Sequence, residues 1–82
     1  MGKKAVISMI LRHEPGLLGR VLSFLGDRGA NILTITQNPP IASRASVVIS
    51  IDVSSMKPGP DELITALEEL DGVEYPRLID IA

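Results

Sequence analysis

Hydrophobic positions along the chain recur with two different periods, and the switches between them mark six elements. Ala5–Leu11 is apolar on both faces of an extended strand, with Val6 and Ile10 on one side and Ile7, Met9 and Leu11 on the other. A strand of that kind belongs in the middle of a sheet. From Gly16 to Arg28 the period lengthens. Leu17, Leu18, Val21, Leu22, Phe24 and Leu25 fall within an arc of about 160° when wound as a helix, which predicts one broad buried stripe. Gly29 suits a left-handed helix stop, and Asn31–Gln37 reads as a β-branched strand with Thr34 and Thr36 on one face.

Asn38-Pro39-Pro40 breaks that strand, and the segment to Ser43 is loop-like. Strict alternation returns in the third strand. Val47, Ile49, Ile51 and Val53 interleave with Ser46, Val48, Ser50 and Asp52, giving one buried face and one that is small and mostly polar. Lys57-Pro58-Gly59-Pro60 forms the next connection, and Asp61 and Glu62 complement the start of a second helix. Its buried stripe is Leu63, Ile64, Leu67 and Leu70, and Gly72 ends it. Val73–Ile81 is the last strand, where Pro76 points to a sheet edge. The order βαββαβ predicts an α+β ferredoxin-like sandwich, a four-stranded antiparallel sheet with two helices on one face.

Between the first strand and first helix stands His13-Glu14-Pro15-Gly16. Pro15 fixes φ, Gly16 permits close approach, and the first helical turn leaves N–H groups without intrahelical partners. A carboxylate or phosphate arriving there would meet donors and the positive end of the helix dipole. The same dipeptide also serves as ordinary turn punctuation. His13 offers a ligand contact or pH-sensitive group, or else a solvated turn residue. Asn31 opens the second strand, at the opposite end of the sheet from the Pro-Gly turn. It need not reach that turn in its own chain and could contribute to a site completed by another subunit; beside Gly29-Ala30 it otherwise serves turn chemistry. Arg12 has Glu14 nearby as an ion-pair partner.

Composition narrows the classes. Eighty-two residues hold one core, and a domain this small is marginal unless a partner covers more of it. There is no cysteine and one histidine, so disulfides, thiol redox chemistry and zinc sites are not expected. Ten acidic and eight basic residues are scattered, and Phe24 and Tyr75 are the only aromatics, which argues against nucleic acid. No apolar run approaches the ~20 residues of a membrane span, and the expected location is the cytoplasm. Glu68, Glu69 and Asp71 have no neighbouring His or Lys, and no nucleophilic triad or phosphate-binding loop is present.

Arg12-His13-Glu14-Pro15-Gly16-Leu17-Leu18, followed at the right separation by Gly29-Ala30-Asn31-Ile32, resembles the ACT domain, a small regulatory module that binds amino acids. The resemblance runs from Lys4 to Ala82 as a single domain and is nearest to the ACT segment of small chorismate-mutase-related, PheB-like proteins. It implies a small amino acid bound where two domains pair, in a homodimer or higher homo-oligomer, with control of an attached or partner enzyme. It implies no catalysis, cofactor, metal, nucleic acid or membrane partner. The ligand-binding residues it implies are His13, Pro15, Gly16, Leu18, Asn31 and Ile32. His13 departs from the Asp or Asn common in the family two residues before Pro. Two other classes share the fold: an oligomerisation module without ligand, and an acylphosphatase-like enzyme, whose Gly-x-Val-Gln-Gly-Val-x-Phe-Arg pattern is missing here.

Overall fold

A computed structural model describes residues 3–54 and 59–81. Its elements are β1 (Lys4–Arg12), α1 (Leu17–Asp27), β2 (Asn31–Gln37), β3 (Arg44–Asp52), α2 (Pro60–Glu68) and β4 (Val73–Ile81). The four strands form one antiparallel sheet in the order β2-β3-β1-β4. The strand with two apolar faces is indeed central, and the Pro76 strand is an edge.

Period-2 alternation sorts each strand by face. Ala5, Ile7, Met9 and Leu11 of β1 and Ala45, Val47, Ile49 and Ile51 of β3 are buried. All of these but Ala45 join Leu17, Val21 and Leu25 of α1 and Leu63 and Leu67 of α2 in one core. The opposite face keeps Val6, Ser8, Ile10 and Val48 only partly covered, so both helices lie on one side of the sheet.

Helix α1 stops where Gly29 takes φ 88°, and the Ala30 N–H returns to the Leu25 carbonyl. Helix α2 ends earlier than its sequence stripe, at Glu68, leaving Leu70 in the turn beyond it. Gly72, at φ 93°, belongs to that turn and not to the helix end. A Cβ there would stand 2.8 Å from Leu17 Cδ2, so glycine is required by space as well as by backbone. The Lys57-Pro58 part of the predicted connection lies outside the described residues.

The β2–β3 connection holds a turn that the sequence does not announce. Ile41 and Arg44 exchange both backbone hydrogen bonds, at 2.7 and 3.0 Å, around Ala42 and Ser43, whose φ values are 52° and 66°. Positive φ at both central residues is the type I′ geometry usually served by Asn-Gly. Each non-glycine residue held there costs on the order of 1–2 kcal/mol.

Candidate functional site

The first strand leaves the sheet at Arg12, whose N–H donates to the Gly72 carbonyl. His13 N–H then donates to the Ser43 carbonyl at 2.7 Å, which ties this loop to the β2–β3 turn. Gly16 occupies the N-cap position of α1 at φ 79°, ψ −6°, with no side chain capping the helix. That backbone explains the glycine more directly than close approach does. The space beside it is nonetheless open, since a Cβ on Gly16 would meet nothing within 4 Å.

The free donors are fewer than the first turn of a bare helix would offer. The Leu17 N–H is taken by the Glu14 carbonyl at 3.3 Å. The N–H groups of Leu18 and Gly19 have no protein acceptor among the described residues, and no acidic residue stands in the first turn of α1. Helix α2 differs, because Asp61 and Glu62 already lie at its N-terminus. The positive end of α1 is thus the one left for an external anion.

Charges around this end of the sheet are paired within the chain. Arg12 Nη2 lies 2.5 Å from Asp71 Oδ1, not against Glu14 as its place in the sequence suggested. Glu14 is held instead by Arg20, one helical turn inward, at 2.6 Å. Arg44 Nε donates to Glu74 Oε1 at 2.8 Å, and this contact pulls the Glu74 carboxyl below its ordinary range while raising Arg44. At the other end, hydrogen bonds from the Ser54 hydroxyl and backbone lower Asp52 in the same way. Carboxylates lowered in the fold contribute stability above their unfolded range, and that contribution is lost as pH falls through the lowered value. Glu74→Gln is therefore expected to be less stable than the parent at neutral pH. The two should converge as pH falls through the lowered Glu74 range and the parent's carboxyl is protonated as well. Urea titrations across that window check this; a constant gap at every pH would contradict it.

Strand register places Asn31 opposite Asp52, which in turn faces Lys4 at the start of β1. Gln37, at the other end of β2, sits on the same side as the Arg12–Arg44 rung and the Pro-Gly turn. One chain therefore brings together His13, Pro15, Gly16 and Leu18, while Asn31 and Ile32 stand at the far end of the sheet. His13, Pro15, Gly16 and Asn31 are exposed; Leu18 and Ile32 are partly buried. Thr34 and Thr36 oppose Ser50 and Val48 on the open face.

A depression of about 550 Å³ lies around the Arg12–Asp71 pair and Gly72, and two others lie near this end. One of about 520 Å³ runs along α1 past Gly16, Gly19, Arg20 and Phe24. Another, of about 750 Å³, lies between β4 and the end of α2 around Ile10, Arg44 and Tyr75. The second is larger and carries Glu68 and Arg77 beside the Arg44–Glu74 pair, but it includes no helix N-terminus. Among the described residues no group of three or more His, Cys, Asp or Glu is placed to hold a metal. No described helix is long and apolar enough to cross a membrane.

The sequence signature of the ACT domain family matches residues 5–72. A UPF0735 ACT domain-containing protein of Lacticaseibacillus casei is 42% identical over 79 residues, covering 96% of this chain and 55% of that protein. The similarly named protein of Carboxydothermus hydrogenoformans is 40% identical over 78 residues, covering 95% and 53%. The chain thus spans about half the length of the curated relatives it matches. Among solved structures, the ACT domain from GTP pyrophosphokinase of Chlorobium tepidum superimposes with TM-score 0.68 at 18% identity, covering 96% of this chain and 100% of that one. The regulatory subunit of aspartate kinase from Thermus thermophilus gives 0.64 at 24%, covering 94% and 55%. At those identities the structural likeness speaks for the fold, whereas signature and relatives together speak for descent: the chain belongs to the ACT domain family.

Proposed function

We propose that the chain is a non-catalytic regulatory module that pairs with a second copy and binds a small amino acid between the two. The observation that carries this reading is the division of the site: the open Leu18 and Gly19 N–H donors lie at one end of the sheet, and Asn31 at the other. Antiparallel pairing of two β2 edges about a two-fold axis sets the Asn31 end of one copy beside the Gln37 end of its partner. The Pro-Gly turn of one chain then faces Asn31 and Ile32 of the other. The free Leu18 and Gly19 N–H groups take the ligand carboxylate, and the Asn31 amide takes its amino group or second carboxylate oxygen.

Both edge strands expose apolar side chains, Leu33 and Ile35 on β2 and Tyr75, Ile79 and Ile81 on β4, so edge geometry decides between them in favour of β2. β4 carries Pro76, two register shifts against β1 and a positive φ at Tyr75, all of which spoil an edge for pairing. Ligand binding would lock the two copies in one relative orientation, and an enzyme attached to or associated with them would sense it.

Thermal unfolding with each free amino acid in turn tests the reading. At ligand concentrations far above Kd, a true ligand should raise Tm by more than about 5 °C while the others leave it unchanged. A dimer that responds to no amino acid would instead mark an oligomerisation module.

A further inference from the structure

Strand β4 does not keep a single alternation of faces along its length. Arg77 pairs with Ser8 of β1 and Glu74 pairs with Ile10, so Met9 alone stands opposite both Tyr75 and Pro76. Two residues against one is a β-bulge. Its first residue, Tyr75, takes φ 52°, the left-handed position that such bulges usually give to glycine. The extra residue resets the alternation beyond it. Pro76 is buried, whereas Tyr75 is 74% exposed and Arg77 shares with Ser8 the face of the sheet that no helix covers.

A depression of about 350 Å³ lies at the bulge, lined by Ser8, Met9, Ile10, Ser46, Tyr75 and Arg77. Its one charge is the Arg77 guanidinium, which enters no ion pair among the described residues. Glu68 and Glu74 line the larger neighbouring depression and not this one. We propose that this hollow is a second binding site, separate from the Pro-Gly turn, for a small carboxylate or phosphate ester that carries a flat ring. Arg77 takes the anionic group, Tyr75 and Ile10 cover the ring, and the Ser8 and Ser46 hydroxyls donate to the remaining oxygens. The strain at Tyr75 fits this role, since glycine would serve the bulge alone. The site does not depend on the amino-acid reading, and it stays open when two β2 edges pair, because β4 is the opposite edge of the sheet.

Tyr75 is the only tyrosine, so its ring protons report on the hollow without ambiguity. NMR titrations of the parent, Arg77→Ala and Tyr75→Gly test the proposal. The probes are benzoate and phenyl phosphate, with acetate and inorganic phosphate as anions without a ring and benzyl alcohol as a ring without charge. At least one ring-bearing anion should shift the Tyr75 ring protons and bind about tenfold more tightly than the other three probes; which of the two binds separates carboxylate from phosphate. Arg77→Ala should weaken that binding by about tenfold or more. Tyr75→Gly should weaken it by about fivefold while its urea midpoint falls no lower than the parent's, because glycine relieves the positive φ. Titrations in which no ring-bearing anion moves the Tyr75 protons overturn the proposal. So does acetate or phosphate binding as tightly as the ring-bearing anions, or an affinity unchanged in Arg77→Ala. An affinity unchanged in Tyr75→Gly, followed there by backbone amide shifts, overturns it as well and leaves Tyr75 a bulge residue that guards the sheet edge.

Discussion

Ile49→Ala is expected to lower the unfolding free energy by about 2–5 kcal/mol, a large share of what a domain of this size holds. Ile49 is fully buried at the middle of β3, an inner strand with hydrogen-bonded neighbours on both sides. It faces Ile7 of β1 and Ile35 of β2 across the same rung. Removing its outer carbons leaves a cavity that fixed strands on either side cannot collapse into, so the loss should lie toward the upper part of that range. Urea unfolding reads it as a lower midpoint with an unchanged slope. A loss below about 1 kcal/mol would mean that the core closes around the gap.

The third isoleucine on that rung has a different role. Ile35 is 41% exposed on the edge strand, so Ile35→Lys removes little buried area from the single chain and should leave it folded. Its effect falls on association. A lysine on an edge strand opposes sheet-to-sheet pairing, because its ammonium group would be desolvated at the junction without a counter-charge. Light scattering should show a dimer for the parent at tens of micromolar and a monomer for the variant, with the circular dichroism of both alike. A dimer that survives Ile35→Lys would move the interface off β2. Truncating Ile49 therefore reports on folding, while charging Ile35 on the same rung reports on assembly.

Most of the architecture is legible in the residue pattern because burial on one face imposes a period, and the period is local. The double-sided β1, the strict alternation of β3 and the Leu17-Val21-Leu25 stripe all carry their fold assignment in adjacent positions. The end of α2 is less legible. Leu70 continues the helical stripe, yet the chain turns at Glu68, because Gly72 must reach φ 93° beneath Leu17, a residue far away in sequence. The ion pairs illustrate the same limit: nearness in sequence favoured Arg12 with Glu14, but the fold brings Asp71 to Arg12 from the far side of α2.

The candidate site divides along this line as well. Pro15-Gly16 and Asn31 carry recognisable local chemistry, and strand order alone is enough to put them at opposite ends of the sheet. The turn at Ala42-Ser43 has no such signature, since neither residue favours positive φ and only the backbone reveals that both adopt it. Its tether to His13 joins two loops separated by a helix and a strand, a contact that no local pattern encodes.

The shared site is tested most directly by mixing two damaged chains. Gly16→Asp keeps a residue tolerated at positive φ while placing a negative charge where the ligand carboxylate should sit, and Asn31→Ala removes the amide from the other half. Each variant alone should be folded, dimeric and unable to bind the amino acid identified for the parent. When equal amounts are exchanged into mixed dimers, one junction combines both defects and the other combines two intact halves. Calorimetry should then recover binding at about a quarter of the parent's sites, with the parent's affinity. Two folded, inactive variants that stay inactive after verified exchange would show that the Pro-Gly turn and Asn31 do not meet across the dimer.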